Sequence, residues 1–227
     1  MSELKLLAIE TSSRIGSVAL AVGEHALERE IPTPREQTAL VIGLIDELLA
    51  EAGLELRDLD ALVLGRGPGS FTGLRVAAGV LQGLSLATGV PIVAVSSLAA
   101  LALQGLVGQP EVERALCLVD ARMGEVYGAT YSRDGESVKL LGEEQLCRPE
   151  TVTAPSGSWL AIGDALSAYA EILSDIRAGA EAVLPDHCPG ARDLMPLART
   201  EVEAGRYLAL ESALPVYLRE ADAWRQI

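Results

Sequence analysis

Histidine, lysine and aromatic side chains are scarce in this chain, and each shortage argues against a class of function. Only His25 and His187 occur, too far apart for a His-x-x-x-His zinc pair and too few to build a Ser/His/Asp triad around. Lys5 and Lys139 are the only lysines, and neither adjoins the glycine-rich stretch where a Lys-dependent phosphoryl-transfer site would need one. Cys117, Cys147 and Cys188 form no Cys-x-x-Cys pair and are odd in number, so they read as reduced thiols of a cytoplasmic protein. Aromatics make up 4% of the residues, which leaves Leu, Val, Ile and Ala to build the core. Positive charge is also short. A formal net charge of −14 repels polyanions, so a nucleic-acid substrate would have to be held by a partner.

Charge is missing altogether from residues 76–110. Gly89 and Pro91 break that stretch into two helical pieces and a short strand. Neither piece reaches the roughly 20 residues that cross a bilayer, so the stretch reads as buried protein, with no membrane role. No secretory signal is expected, because Met1 to Lys5 leads into a short apolar segment and then Glu10.

What is present is ordered. Leu4 to Ile9 reads as a strand ending in Glu10-Thr11-Ser12, and two further strands follow as an antiparallel meander. A helix spans about Arg35 to Ala52, stopped by Gly53. The strand Ala61 to Leu64 then runs into Gly65-Arg66-Gly67-Pro68-Gly69-Ser70-Phe71-Thr72-Gly73-Leu74-Arg75 and a helical pattern from Val76 to Ala87. A glycine bend at a helix start can present N–H groups to an anion, which makes Gly67, Gly69, Ser70 and Thr72 weak phosphate-loop candidates. Yet Pro68 lacks a donor, no Lys follows, and Thr72 stands where Gly-x-Gly-x-x-Gly needs its third glycine. The alternative is a tight loop that lets strand and helix pack closely. After Pro110 the order of elements begins again, with a strand ending in Asp120. Two similar lobes are expected, 1–108 and 109–227, the final segment open to packing back on the first. Glu10 and Asp120 could each hold a magnesium ion or solvate a turn, and Thr11, Ser12 and Ser13 could cradle phosphate or bond the backbone.

The two helices of the first half carry a different signal. From Gln37 to Ile45 there is no charge, and the apolar positions cover more than one face. Gln37, Val41, Ile42 and Ile45 are therefore candidates for a surface that meets another protein. Arg75, Gly79, Gly83 and Ala87 add a smooth strip at four-residue spacing, on which another helix can close.

Six stretches occur in one order along nearly the whole chain: Leu7-Ala8-Ile9-Glu10-Thr11-Ser12, Pro34-Arg35-Glu36, the Gly65–Arg75 motif, Val95-Ser96-Ser97-Leu98, Asp120-Ala121-Arg122-Met123-Gly124-Glu125-Val126-Tyr127 and Pro215-Val216-Tyr217-Leu218-Arg219. Together they resemble the bacterial TsaB (YeaZ) family. The resemblance implies an α/β protein of the actin-like, sugar kinase and Hsp70-type ATPase (ASKHA) fold, with two ribonuclease-H-like lobes. It implies an accessory subunit, not an enzyme, in the complex that forms N6-threonylcarbamoyladenosine at position 37 of tRNAs. The implied partners are the catalytic subunit TsaD and the ATPase TsaE, with a homodimer when alone, tRNA met only through the complex, and no cofactor of its own. Two departures stand out: Glu10 where relatives often have Asp, and Gln37 with Val41 where a metal-ligating His pair would stand. Both weaken an independent phosphate or metal site. The opposing reading is a nucleotide-dependent phosphotransferase or ATPase using Glu10, Asp120 and the glycine loop. A zinc endopeptidase would require tightly bound metal.

Overall fold

The computed structural model describes residues 3–33 and 36–219. Pro34 and Arg35, part of the expected helix entry and of the Pro34-Arg35-Glu36 stretch, lie outside the described residues, as do 220–227. The expected meander forms as β1 (Lys5–Glu10), β2 (Gly16–Val22) and β3 (His25–Ile31), paired antiparallel in sequence order. Helix α1 (Gln37–Ala52) stops at Gly53, whose φ of 65° is the left-handed conformation that suits glycine at a helix end. Strand β4 (Ala61–Gly65), helix α2 (Phe71–Thr88) and strand β5 (Ile92–Val95) follow, then helix α3 (Ser97–Val107). Both β4 on β1 and β5 on β4 pair parallel, as helical crossovers require.

The second half repeats this plan. Strands β6 (Arg114–Arg122), β7 (Glu125–Asp134) and β8 (Ser137–Cys147) form the meander, and β9 (Trp159–Ile162) joins β6 in parallel. Short helices α4 (Ala165–Ala168) and α5 (Ser174–Gly179) lead to β10 (Ala182–Leu184), which pairs parallel with β9. The sheet orders are β3-β2-β1-β4-β5 and β10-β9-β6-β7-β8, the same arrangement in chain order within each half. The doubling inferred from a degenerate sequence pattern thus extends through all five strands. The elements between 163 and 184 were not anticipated, because each is too short to show a period.

Packing divides the chain into two compact units, one up to Ala100 together with Pro189–Pro215, the other Leu101–Cys188 with the described residues from Val216. Helix α6 (Ala191–Glu203), placed by sequence order within 109–227, therefore packs in the first unit. Strand alternation explains why it is needed there. Leu7 and Ile9 of β1 enter the core built with α1 and α2, whereas Leu6 and Ala8 point to the other face and are also fully buried. The apolar stripe of α6, including Leu194, Met195 and Ala198, packs on the strands of this sheet and covers that second face. Its first turn is tied down by the buried Ser17 hydroxyl, which accepts the Ala191 N–H at 2.7 Å. In the second unit Leu116, Leu118, Val126, Trp159 and Leu166 form the core under α4 and α5. Among the described residues no helix is long and apolar enough to cross a membrane.

Ser17→Ala leaves the Ala191 N–H buried without its acceptor and is expected to cost about 1–3 kcal/mol. A lower urea midpoint at unchanged slope, with faster amide exchange across 191–203, would report the loss.

Candidate functional site

Where β1 ends, the chain turns inward. Glu10 is fully buried, and its carboxylate is bonded to Ser12 and Ser97. Its Oε1 accepts the Ser12 N–H at 2.6 Å, and its Oε2 accepts the Ser97 hydroxyl at 2.6 Å. Burial raises its pKa above the ordinary carboxylate range, and the hydrogen bonds from Ser12 and Ser97 offset part of that rise, while Asp193 of α6 adds a small further push upward. Ser97 also accepts the Gly67 N–H through its Oγ at 3.1 Å, so one hydroxyl links the carboxylate, the glycine loop and the start of α3.

The glycine loop closes directly on this turn. A Cβ at Gly65 would lie 2.3 Å from Glu10 Oε2, one at Gly69 would lie 2.3 Å from the Ser12 carbonyl oxygen, and one at Gly73 would lie 1.9 Å from the Thr11 carbonyl oxygen. Here glycine is required by contact. Of the phosphate-loop candidates, Gly67 gives its N–H to Ser97, and Ser70 gives its N–H to the Ser12 carbonyl at 2.7 Å. The Ser70 hydroxyl caps α2 by accepting the Gly73 N–H at 3.3 Å. Gly69 is pressed on Ser12, and Thr72 lies exposed in the first turn of α2. Thr11 donates its hydroxyl to the Gly73 carbonyl and Ser13 to the Ile15 carbonyl, each at 2.7 Å. The loop and the Thr11–Ser13 turn thus follow the close-packing alternative.

Helices α1 and α2 sort the other candidates. Gln37, Val41 and Ile45 are buried in the folded chain, which corrects their placement on an outward surface: they lie on the stripe of α1 that packs against the first sheet. Gln37 Nε2 is buried with no hydrogen-bond partner among the described residues. Ile42 lies on the outer side of α1, exposed with Leu40. On α2, Arg75, Gly79, Gly83 and Ala87 are all exposed, with Leu86 beside them 77% exposed. A Cβ at Gly79 or Gly83 would meet nothing within 4 Å. Arg75 stacks on the Phe71 ring at 3.7 Å from its centroid.

In the second unit Asp120 is held at its turn. Its Oδ1 accepts the Arg122 N–H at 2.8 Å and the Tyr169 hydroxyl at 2.9 Å, and its Oδ2 lies 3.0 Å from Arg122 Nη1. Among the described residues no three His, Cys, Asp or Glu side chains group as a metal site would. The hairpin that follows is unusual: Arg122, Met123 and Gly124 have φ of 63°, 59° and 75°. A two-residue connection with positive φ at both centres favours Asn-Gly, and this chain has Met-Gly. Left-handed backbone costs about 1–2 kcal/mol at each non-glycine residue. Arg219 supplies the restraint. Its buried guanidinium pairs with Glu125 at 2.7 Å, donates to the Ala121 carbonyl at 3.0 Å and reaches Met123 Sδ at 3.4 Å. Two motifs far apart in sequence therefore meet through one arginine, a role that sequence reasoning missed. The available signal was a lone cation closing an apolar segment.

The repeated five-stranded plan, with a carboxylate at or near the end of the first strand of each sheet, defines an actin-like α/β protein of two lobes. The family model described as "TsaD: tRNA N6-adenosine threonylcarbamoyltransferase" matches residues 33–181. The "tRNA threonylcarbamoyladenosine biosynthesis protein TsaB" of Escherichia coli (strain K12) is 36% identical, over 99% of this chain and 98% of its own length. Its namesake in Haemophilus influenzae is 34% identical, over 100% of this chain and 98% of its own. The solved structure "YeaZ from Pseudomonas aeruginosa" superposes with a TM-score of 0.86 at 36% identity, covering 95% of this chain and 100% of that one. The chain belongs to the TsaB (YeaZ) family.

Two substitutions probe the buried turn. Glu10→Gln keeps an acceptor for Ser12 and removes the ionisable group. The folded-state pKa of Glu10 lies above its unfolded value, so its contribution to stability is full below the unfolded pKa and is lost as pH rises through the folded one. The variant is therefore expected to gain on the parent progressively in urea unfolding as pH rises above the ordinary glutamate pKa of about 4.3. Gly73→Ala drives a methyl into the Thr11 backbone and is expected to cost about 3 kcal/mol or more, read as a lower thermal midpoint.

Proposed function

We propose that this chain serves tRNA threonylcarbamoyladenosine biosynthesis as a non-catalytic subunit that holds a TsaD-like catalytic subunit and supports a TsaE-like ATPase. Relatives aligned along their full length carry that biosynthetic name. The observation that carries the scaffold reading is the outer side of α2: Gly79, Gly83 and Ala87 form an exposed strip with open space above it, flanked by Leu86, while Ile42 is exposed on α1. Such a strip lets a partner helix approach closely, and the same surface serves a homodimer when the chain is alone. The non-catalytic reading is supported by the inward bonding of Glu10 and by the loop amides of Gly67, Ser70 and Gly73, each already bonded within the chain. With a net charge of −14, tRNA contact falls to the partners. A cytoplasmic location follows from this role and agrees with three cysteines that form no disulfide.

Gly83→Glu tests the surface cleanly, because the new side chain meets no neighbour and glycine is already the weaker helix former. The variant is expected to keep or raise its thermal midpoint while its association with the TsaD-like subunit weakens at least tenfold and its homodimer dissociates. Unchanged association would remove the strip from the reading. Reconstituted tRNA modification should depend on the parent chain and fall with the variant, whereas turnover of magnesium–ATP by the isolated chain would overturn the non-catalytic role.

A further inference from the structure

We propose that Met123 is a site of reversible oxidation, taken by a peroxide to the sulfoxide, and that the added oxygen tightens the hold of Arg219 on the β6–β7 turn. The inference concerns a modification of this chain and is independent of its partners. Three methionines occur in the sequence. Of the two among the described residues, Met195 is 3% exposed on α6 and Met123 is 55% exposed. Exposure alone would leave Met123 an ordinary surface thioether. Its neighbour sets it apart. Arg219 Nη1 donates to the Met123 sulfur at 3.4 Å, and the same nitrogen pairs with Glu125 at 2.7 Å. The Arg219 side chain is buried, and its Nη2 donates to the Ala121 carbonyl at 3.0 Å. A cationic donor thus already points at the atom that oxygen would join.

A thioether is a weak acceptor, so the N–H···S contact is the weakest of the bonds that Arg219 makes to the turn. Oxidation changes that. The sulfur lone pair attacks one peroxide oxygen, and an S–O bond forms as the O–O bond breaks. The departing hydroxide takes the proton of the transferred hydroxyl and leaves as water. Sulfur is oxidised and peroxide reduced, with no further reactant. The product is a polar sulfoxide whose oxygen accepts a charge-assisted hydrogen bond from Nη1. Met123 fills no core, so this gain is not offset by the loss of packing that follows oxidation of a buried methionine. Two of the three thiols compete poorly for the oxidant: burial raises the pKa of Cys117 and of Cys147 and keeps both in the less reactive thiol form. Methionine sulfoxide reductases restore the thioether, which gives the turn two states of different rigidity.

The full-length protein, treated with dilute hydrogen peroxide and mapped by peptide mass spectrometry, is expected to gain one oxygen at Met123 before Met195. Methionine sulfoxide reductases should remove it. In the oxidised protein amide exchange across residues 121–125 should slow about tenfold, with the thermal midpoint unchanged or higher. Met123→Gln carries an acceptor oxygen on an unbranched side chain of similar length and should show slower exchange without peroxide. Met123→Leu should show neither oxygen gain at that position nor slowing. Oxidation of Met195 as fast as Met123 would remove the site. Exchange across the turn that stays within twofold of the reduced protein, or speeds up, would refute the tightening whatever Met123→Gln does. Slowing in peroxide-treated Met123→Leu would place the effect on another residue and overturn the assignment.

Discussion

Backbone touches backbone where the end of β1 meets the glycine loop, and the first unit is organised around that contact. Gly69 and Gly73 lie so near the carbonyls of Ser12 and Thr11 that a methyl group would overlap them, and Gly65 leaves room for the Glu10 carboxylate. With the two segments this close, the polar groups of the turn must find partners locally. Ser97, Ser12 and the loop amides supply them. A carboxylate that would otherwise be costly to bury becomes the centre of a hydrogen-bonded clasp joining β1, the loop and α3.

That clasp accounts for the close fit of the glycine motif against the end of β1. Glycine-rich bends between a strand and a helix invite a phosphate reading because their N–H groups can all face outward. Here those of Arg66, Gly67, Ser70 and Gly73 are bonded within the chain. Two features elsewhere are of a different kind: an exposed strip of small residues on α2, and a hairpin in the second unit whose backbone is held by a buried arginine.

Much of the architecture was legible in the sequence, since the strands are apolar runs bounded by glycine, proline or acidic residues. The start of α2 was not. Its first turn, Phe71 to Arg75, closes the glycine-rich motif and so reads as loop, yet Ser70 caps it as a helix. On α1 the excess of apolar residues was visible, but not which of them the sheet would claim. Val41 and Ile45, four residues apart, share the stripe that meets the strands, while Ile42 stayed out. The placement of α6 was not legible either. Its apolar stripe is plain, but a stripe states that a helix must be covered, not by what. Arg219 illustrates the same limit: long-range pairing leaves no local period to read.

The interleaving of the units has a consequence for synthesis on the ribosome. The first sheet is complete once β5 emerges, but the apolar face carrying Leu6 and Ala8 is closed by a helix that begins only at Ala191. Throughout translation of the intervening residues that face has no cover from its own chain. The nascent polypeptide must therefore carry a sticky, half-finished layer from the completion of β5 until α6 is made, an interval in which it is open to misassociation.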